Sequence, residues 1–106
     1  MITLILSSSP LYSDSFEQGL NVALNLDELG QRCQLVLDGE MLCYCEQAPA
    51  QDEVLRKLTQ IELFGLSLLA AREVEALSIR LKQHFIVRSE REISALLHES
   101  AQVVVF

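Results

Sequence analysis

The chain has 106 residues, enough for one domain and one core. Half of them are hydrophobic, with only four Gly and two Pro, which excludes a low-complexity chain. Fifteen acidic against eight basic residues leave a net charge of −7, so a phosphate backbone would repel the chain and direct nucleic-acid binding is not expected.

Residues 2–6 form a short β-leaning run that stops in Ser7-Ser8-Ser9-Pro10, a strand followed by a loop. No basic segment precedes this run and no small-residue cleavage site follows it, so it reads as a first strand rather than a signal peptide. Asp14 and Glu17, or Ser13, can cap a helix that runs to about Leu29 and stops at Gly30. Glu17, Asn21, Asn25 and Glu28 make a narrow polar stripe on it. Phe16, Leu20, Leu24 and their neighbours cover most of the rest, a wider apolar arc than a surface helix needs. Either the helix is deeply packed, or the sheet covers one side of the arc and a partner the other; the expectation taken forward is an interface at Phe16, Leu20 and Leu24 and self-association of the isolated chain.

A second strand is expected over residues 33–37, ended by Asp38-Gly39, then a loop through Pro49. Residues 51–60 read as a helix with Val54, Leu55 and Leu58 inward, and 61–67 as a third strand. Residues 72–82 are expected to be helical and 85–87 a fourth strand. Ser89 and Glu92 match a capping box ahead of Ile93, Leu96 and Leu97, and residues 102–106 form the last strand. Strands and helices alternate, and apolar runs such as Val103-Val104-Val105 suit strands buried on both faces. The expected fold is a three-layer α/β/α sandwich with a mostly parallel five-stranded sheet, in one domain spanning 1–106. No apolar run approaches the roughly 20 residues that span a bilayer.

No phosphate-loop, dinucleotide, zinc-protease or nucleophile-elbow motif is present. The serines of the 7–9 loop sit where such folds bind ligands and could hold an anion, or they simply make a turn. Cys43-Tyr44-Cys45 could carry sulfur, form a disulfide or supply metal ligands, or its cysteines could be small buried hydrophobes. Cys33, His84 and His98 complete no recognisable zinc pattern, so neither metal nor cofactor is expected. Asp38, Glu40 and Glu46 near the pair disfavour a thiolate. Without a secretory signal the three cysteines are expected to be free thiols in a reducing cytoplasm. Asp52, Glu53, Arg56 and Lys57 read as the solvated side of a helix.

Three segments together resemble the DsrE/DsrF family, most closely its TusC/DsrF branch. They are the Pro10-Leu11-Tyr12 loop before an apolar helix, Leu37-Asp38-Gly39-Glu40, and residues 94–106, reading SALLHESAQVVVF. The resemblance covers nearly the whole chain. It implies sulfur relay, toward tRNA 2-thiouridine or in sulfur oxidation, in a hetero-oligomer with TusB/DsrH-like and TusD/DsrE-like subunits. In the catalytic branch of that family the persulfide cysteine lies just past the third strand. Here Phe64-Gly65-Leu66-Ser67-Leu68-Leu69 has none, and Ser67 is the expected vacant position. The resemblance therefore implies a noncatalytic subunit. The Cys43/Cys45 pair departs from that branch and keeps two alternatives open, a thiol sulfur carrier and a small-ligand-binding module.

Overall fold

The computed structural model describes residues 1–49, 51–70 and 86–106. Its elements, in chain order, are β1 (Ile2–Leu6), α1 (Ser15–Glu28), β2 (Cys33–Leu37), α2 (Gly39–Gln47), α3 (Glu53–Leu63), β3 (Ser67–Ala70), β4 (Ile86–Val87), α4 (Glu90–Glu99) and β5 (Gln102–Val105). The sheet order is β4-β3-β2-β1-β5, and every adjacent pair is parallel. Four strands of four or five residues carry the sheet, and Ile86–Val87 adds only a two-residue edge. The expected five-stranded sheet is corrected to four strands with that short edge. The helix expected over 72–82, with Phe85 and His84, lies outside the described residues.

Strand alternation sorts the core into two layers. Leu4, Leu6, Leu35, Leu37, Leu68 and Ala70 pack against α1, α2 and α3 on one face. Val36, Leu69 and the half-buried Ile5 meet Ile93, Leu96 and Leu97 of α4 on the other. Helices thus cover both faces of the parallel sheet at its central strands, whereas Val103 and Val105 of the edge strand β5 are exposed, against the expectation that this run is buried on both faces.

The apolar arc of α1 is spent inside the molecule. Phe16 is 2 % exposed and Leu20 5 %, both in the main core with Ala23. This corrects the expected interface at Phe16 and Leu20. Leu24 is only half-buried. The sequence overstates the free arc because α1 comes unusually close to β1 at Gly19. A Cβ there would run into Leu6 and lie 3.3 Å from the Phe106 ring. That close approach lets one sheet face cover residues two turns wide.

Two element boundaries also differ from expectation. Residues 39–47 are a helix, not a loop. Asp38 accepts the Gly39 N–H at 2.8 Å, and Met41, Leu42 and Cys45 turn inward on the resulting face. The run from Ile61 continues α3 rather than starting a strand. Leu55, Leu58 and Ile61 are spaced three apart and complete one buried stripe. Gly65, with φ +83°, ends the helix, its N–H donating to the Glu62 carbonyl. β3 therefore begins at Ser67, which pairs with Gln34.

A polar chain ties the sheet to α4. Gln34 donates to Thr3 Oγ1 at 3.0 Å, and Ser100 Oγ donates to the Leu96 carbonyl at 2.8 Å. With its one proton committed, Ser100 must accept from Thr3 across 2.6 Å. Thr3, fully buried, is thereby satisfied on both sides. The capping box at Ser89 and Glu92 is formed as expected.

Candidate functional site

The strands' C-terminal ends carry the loop after β1 and the start of α2 after β2. Between them lies an open cleft of about 520 Å³. Its walls are Leu11, Tyr12, Ala48 and Pro49 on the apolar side, with Ser9, Glu40, Cys43, Tyr44, Gln47 and Asp52 supplying polar groups. This edge is where parallel α/β sheets place ligands.

The α2 helix separates the two cysteines that the sequence sets side by side. Residues two apart on a helix point to nearly opposite sides. Cys43 is exposed in the cleft, whereas Cys45 is 1 % exposed in the core. They share no disulfide. Burial pushes the Cys45 thiol up to about 12, helped by the Asp52 and Glu46 charges. Burial, and secondarily Asp27, also raises Cys33, whose Sγ donates to the Ala23 carbonyl at 3.8 Å. Cys33 and Cys45 fill the core as small hydrophobes, so of the two candidate sulfur-carrying thiols only Cys43 is accessible.

Asp52 does more than face solvent. One carboxylate oxygen caps α3 by accepting the Val54 and Leu55 N–H groups at 2.9 and 3.3 Å. The other accepts the Tyr44 hydroxyl at 2.5 Å. That bond, more than burial, raises the Tyr44 phenol to about 12. The pair joins α2 to α3 along the cleft floor. Sequence reasoning missed Tyr44, Tyr12, Glu40 and Asp52 as a group. Asp at the start of the Val54-Leu55-Leu58 stripe was the available signal, since Asp is a strong N-cap.

The serine loop is largely spent on the backbone. Ser7 donates its hydroxyl to the Phe106 carbonyl at 3.1 Å and its N–H to the same oxygen at 2.8 Å. Ser9 is buried and accepts the Leu11 N–H at 3.2 Å. These bonds hold the turn, leaving few donors for an anion.

Ser67 is displaced from its expected place. Because α3 extends through Leu63, Ser67 lies at the N-terminal end of β3, beside Gly65, Asp27, Arg32 and Cys33 in a small polar depression. The cleft opens at the opposite sheet edge, so Ser67 is not the vacant catalytic position. The chain beyond β3 still contains no cysteine, since all three precede residue 46. His98 is exposed in the last turn of α4. Among the described residues no group of three His, Cys, Asp or Glu could hold a metal ion. None of the described helices is long and apolar enough to cross a membrane.

No family model matches the chain. No curated protein matches it either. Solved structures do. The ychN protein from E. coli is similar at 13 % identity, with a TM-score of 0.71 over 99 % of this chain and 97 % of that one. A conserved protein of unknown function from Bacteroides thetaiotaomicron, BT1422, is similar at 15 % identity, with a TM-score of 0.76 over 99 % and 94 %. The chain therefore has an α/β fold with a parallel sheet, shared with these two structures. Likeness at this level of identity shows the fold.

Proposed function

We propose that the chain is a noncatalytic subunit of a sulfur-relay assembly of the TusBCD/DsrEFH type. Its partners in this reading are TusB/DsrH-like and TusD/DsrE-like chains, which carry the persulfide for tRNA thiolation or sulfur oxidation in the cytoplasm. The observation that carries the reading is the distribution of thiols on a DsrE-like fold. The stretch past β3, where the resemblance places a persulfide cysteine, has none, and two of the three cysteines are buried in the core. A chain of this kind contributes surface rather than chemistry. The test is purification of the tagged chain from its native cell under gentle salt. DsrE-like and DsrH-like chains should co-purify at fixed ratio, and a chain recovered alone, at concentrations above micromolar, would contradict the reading.

A second reading has one observation of its own. Cys43 is exposed at the C-terminal edge of the sheet, in the cleft. A persulfide there would make this chain a carrier. The resemblance places the persulfide cysteine past β3 and not in this cleft, which ranks the carrier reading second.

A further inference from the structure

The cleft is acidic and aromatic at once, and its shape and charge fit one kind of occupant. Its ionisable carboxyl groups, Glu40 and Asp52, are both acidic, and no Lys, Arg or His lines it among the described residues. The two helix N-termini beside it are already answered by carboxylates. Asp38 caps α2, with Glu40 in the first turn, and Asp52 caps α3. An anionic ligand would find those amides taken and meet like charge instead. The same cleft is lined by Tyr12, 86 % exposed, and Leu11, 68 % exposed, an apolar surface that no described residue covers. A Lys or Arg side chain has the complementary build: an aliphatic stem that packs on aromatic and aliphatic surface, and a cation that reaches a carboxylate.

We propose that this cleft is the docking site for a basic segment of a partner protein, an extended stretch in which Arg or Lys alternates with apolar residues. The cations are held by Glu40 and Asp52, and the stems and apolar residues lie on Leu11, Tyr12 and Pro49. The proposal deepens the reading of the chain as a docking subunit, and it needs no thiol chemistry at Cys43.

The test is fluorescence anisotropy with the intact chain and two labelled hexapeptides, one alternating Arg and Leu, the other alternating Glu and Leu. The Arg peptide should bind saturably and the Glu peptide should not. Combined Glu40→Gln and Asp52→Asn substitutions should weaken the Arg peptide at least about tenfold, or about 1.4 kcal/mol. Asn remains a competent cap for α3 and its amide can still bond the Tyr44 oxygen, so the variant's far-UV circular dichroism should match wild type. Tyr12→Ala should weaken binding as well. Asp27→Asn with Glu28→Gln, at the far end of α1, removes the same two negative charges and should leave binding unchanged. Equal losses in the two double variants would mean that only the overall charge attracts the peptide, and would overturn the proposal. So would saturable binding of the Glu peptide, or no saturation by the Arg peptide at millimolar concentration. Docking and the subunit reading fail separately, because co-purification from the native cell does not depend on either hexapeptide.

Discussion

Replacing Leu20 with Glu should unfold the chain rather than merely separate it from a partner. Leu20 is 5 % exposed and packs in the main core with Phe16, Ala23 and the sheet. Removing a buried Leu costs about 2–5 kcal/mol by itself. A carboxyl group placed there loses hydration and has no buried cation to pair with among the described core residues. The sum approaches the roughly 5–15 kcal/mol that hold a domain of this size together. Leu24→Glu, at a half-buried position on the same helix, should cost only about 1 kcal/mol. Urea titration followed by far-UV circular dichroism gives both values. A Leu20→Glu chain that keeps the wild-type midpoint but changes its state of association would restore Leu20 to an interface.

Cys45 should resist modification in the native chain while Cys43 reacts freely. The two thiols differ in burial, and Cys45 reaches reagent only when α2 opens from the core. Opening that costs about 4 kcal/mol slows alkylation about a thousandfold. The same burial predicts how stability varies with pH. The Cys45 thiol ionises near 9 when exposed and is pushed up to about 12 in the fold. At alkaline pH the unfolded chain therefore releases a proton that the folded chain keeps. The contribution of Cys45 is fully present below pH 9 and is lost as pH rises toward 12, by up to about 1.4 kcal/mol per pH unit. Tyr44, raised by its bond to Asp52, acts in the same direction. Urea midpoints measured between pH 7 and pH 10.5 should fall at the alkaline end, and fall less steeply in Cys45→Ala. Equal alkylation rates for Cys43 and Cys45, or identical slopes for the two chains, would remove Cys45 from the core.

The alternation of strand and helix was legible because each strand is a short β-branched or leucine run closed by a turn signal. Ile2–Leu6, Cys33–Leu37 and the capped α4 lie where those signals place them. Two features were hidden by local ambiguity. Asp38-Gly39 reads equally well as a turn or as the start of a helix. The inward spacing of Met41, Leu42 and Cys45 decides the matter only if Cys45 is counted as apolar. Ile61 and Leu63 suit a strand by propensity, but tertiary packing joins Ile61 to the Leu55–Leu58 stripe. That shift of six residues carried Ser67 from one sheet edge to the other. The breadth of the α1 arc is legible in the sequence, but its periodicity does not choose between deep packing and an interface, and the structure packs Phe16 and Leu20 in the core. The depth to which Gly19 lets α1 settle on Leu6 is a distance that no periodicity reports. The cleft combines residues 9–12 with residues 40–52, and only the parallel pairing of β1 with β2 brings those segments together.

In the proposed role this chain assists sulfur transfer without carrying the sulfur. The most direct measurement is the rate of sulfane-sulfur transfer by the complex reconstituted from this chain and its co-purified partners, with Cys43→Ser in place of the wild-type chain. Cys43 is the sole exposed thiol of the three, and the substitution exchanges one small polar group for another in an open cleft. A noncatalytic subunit predicts a rate within about twofold of wild type, less than about 0.5 kcal/mol in the barrier. A loss of about a hundredfold, near 2.7 kcal/mol, with the complex still assembled, would show that Cys43 carries the sulfur.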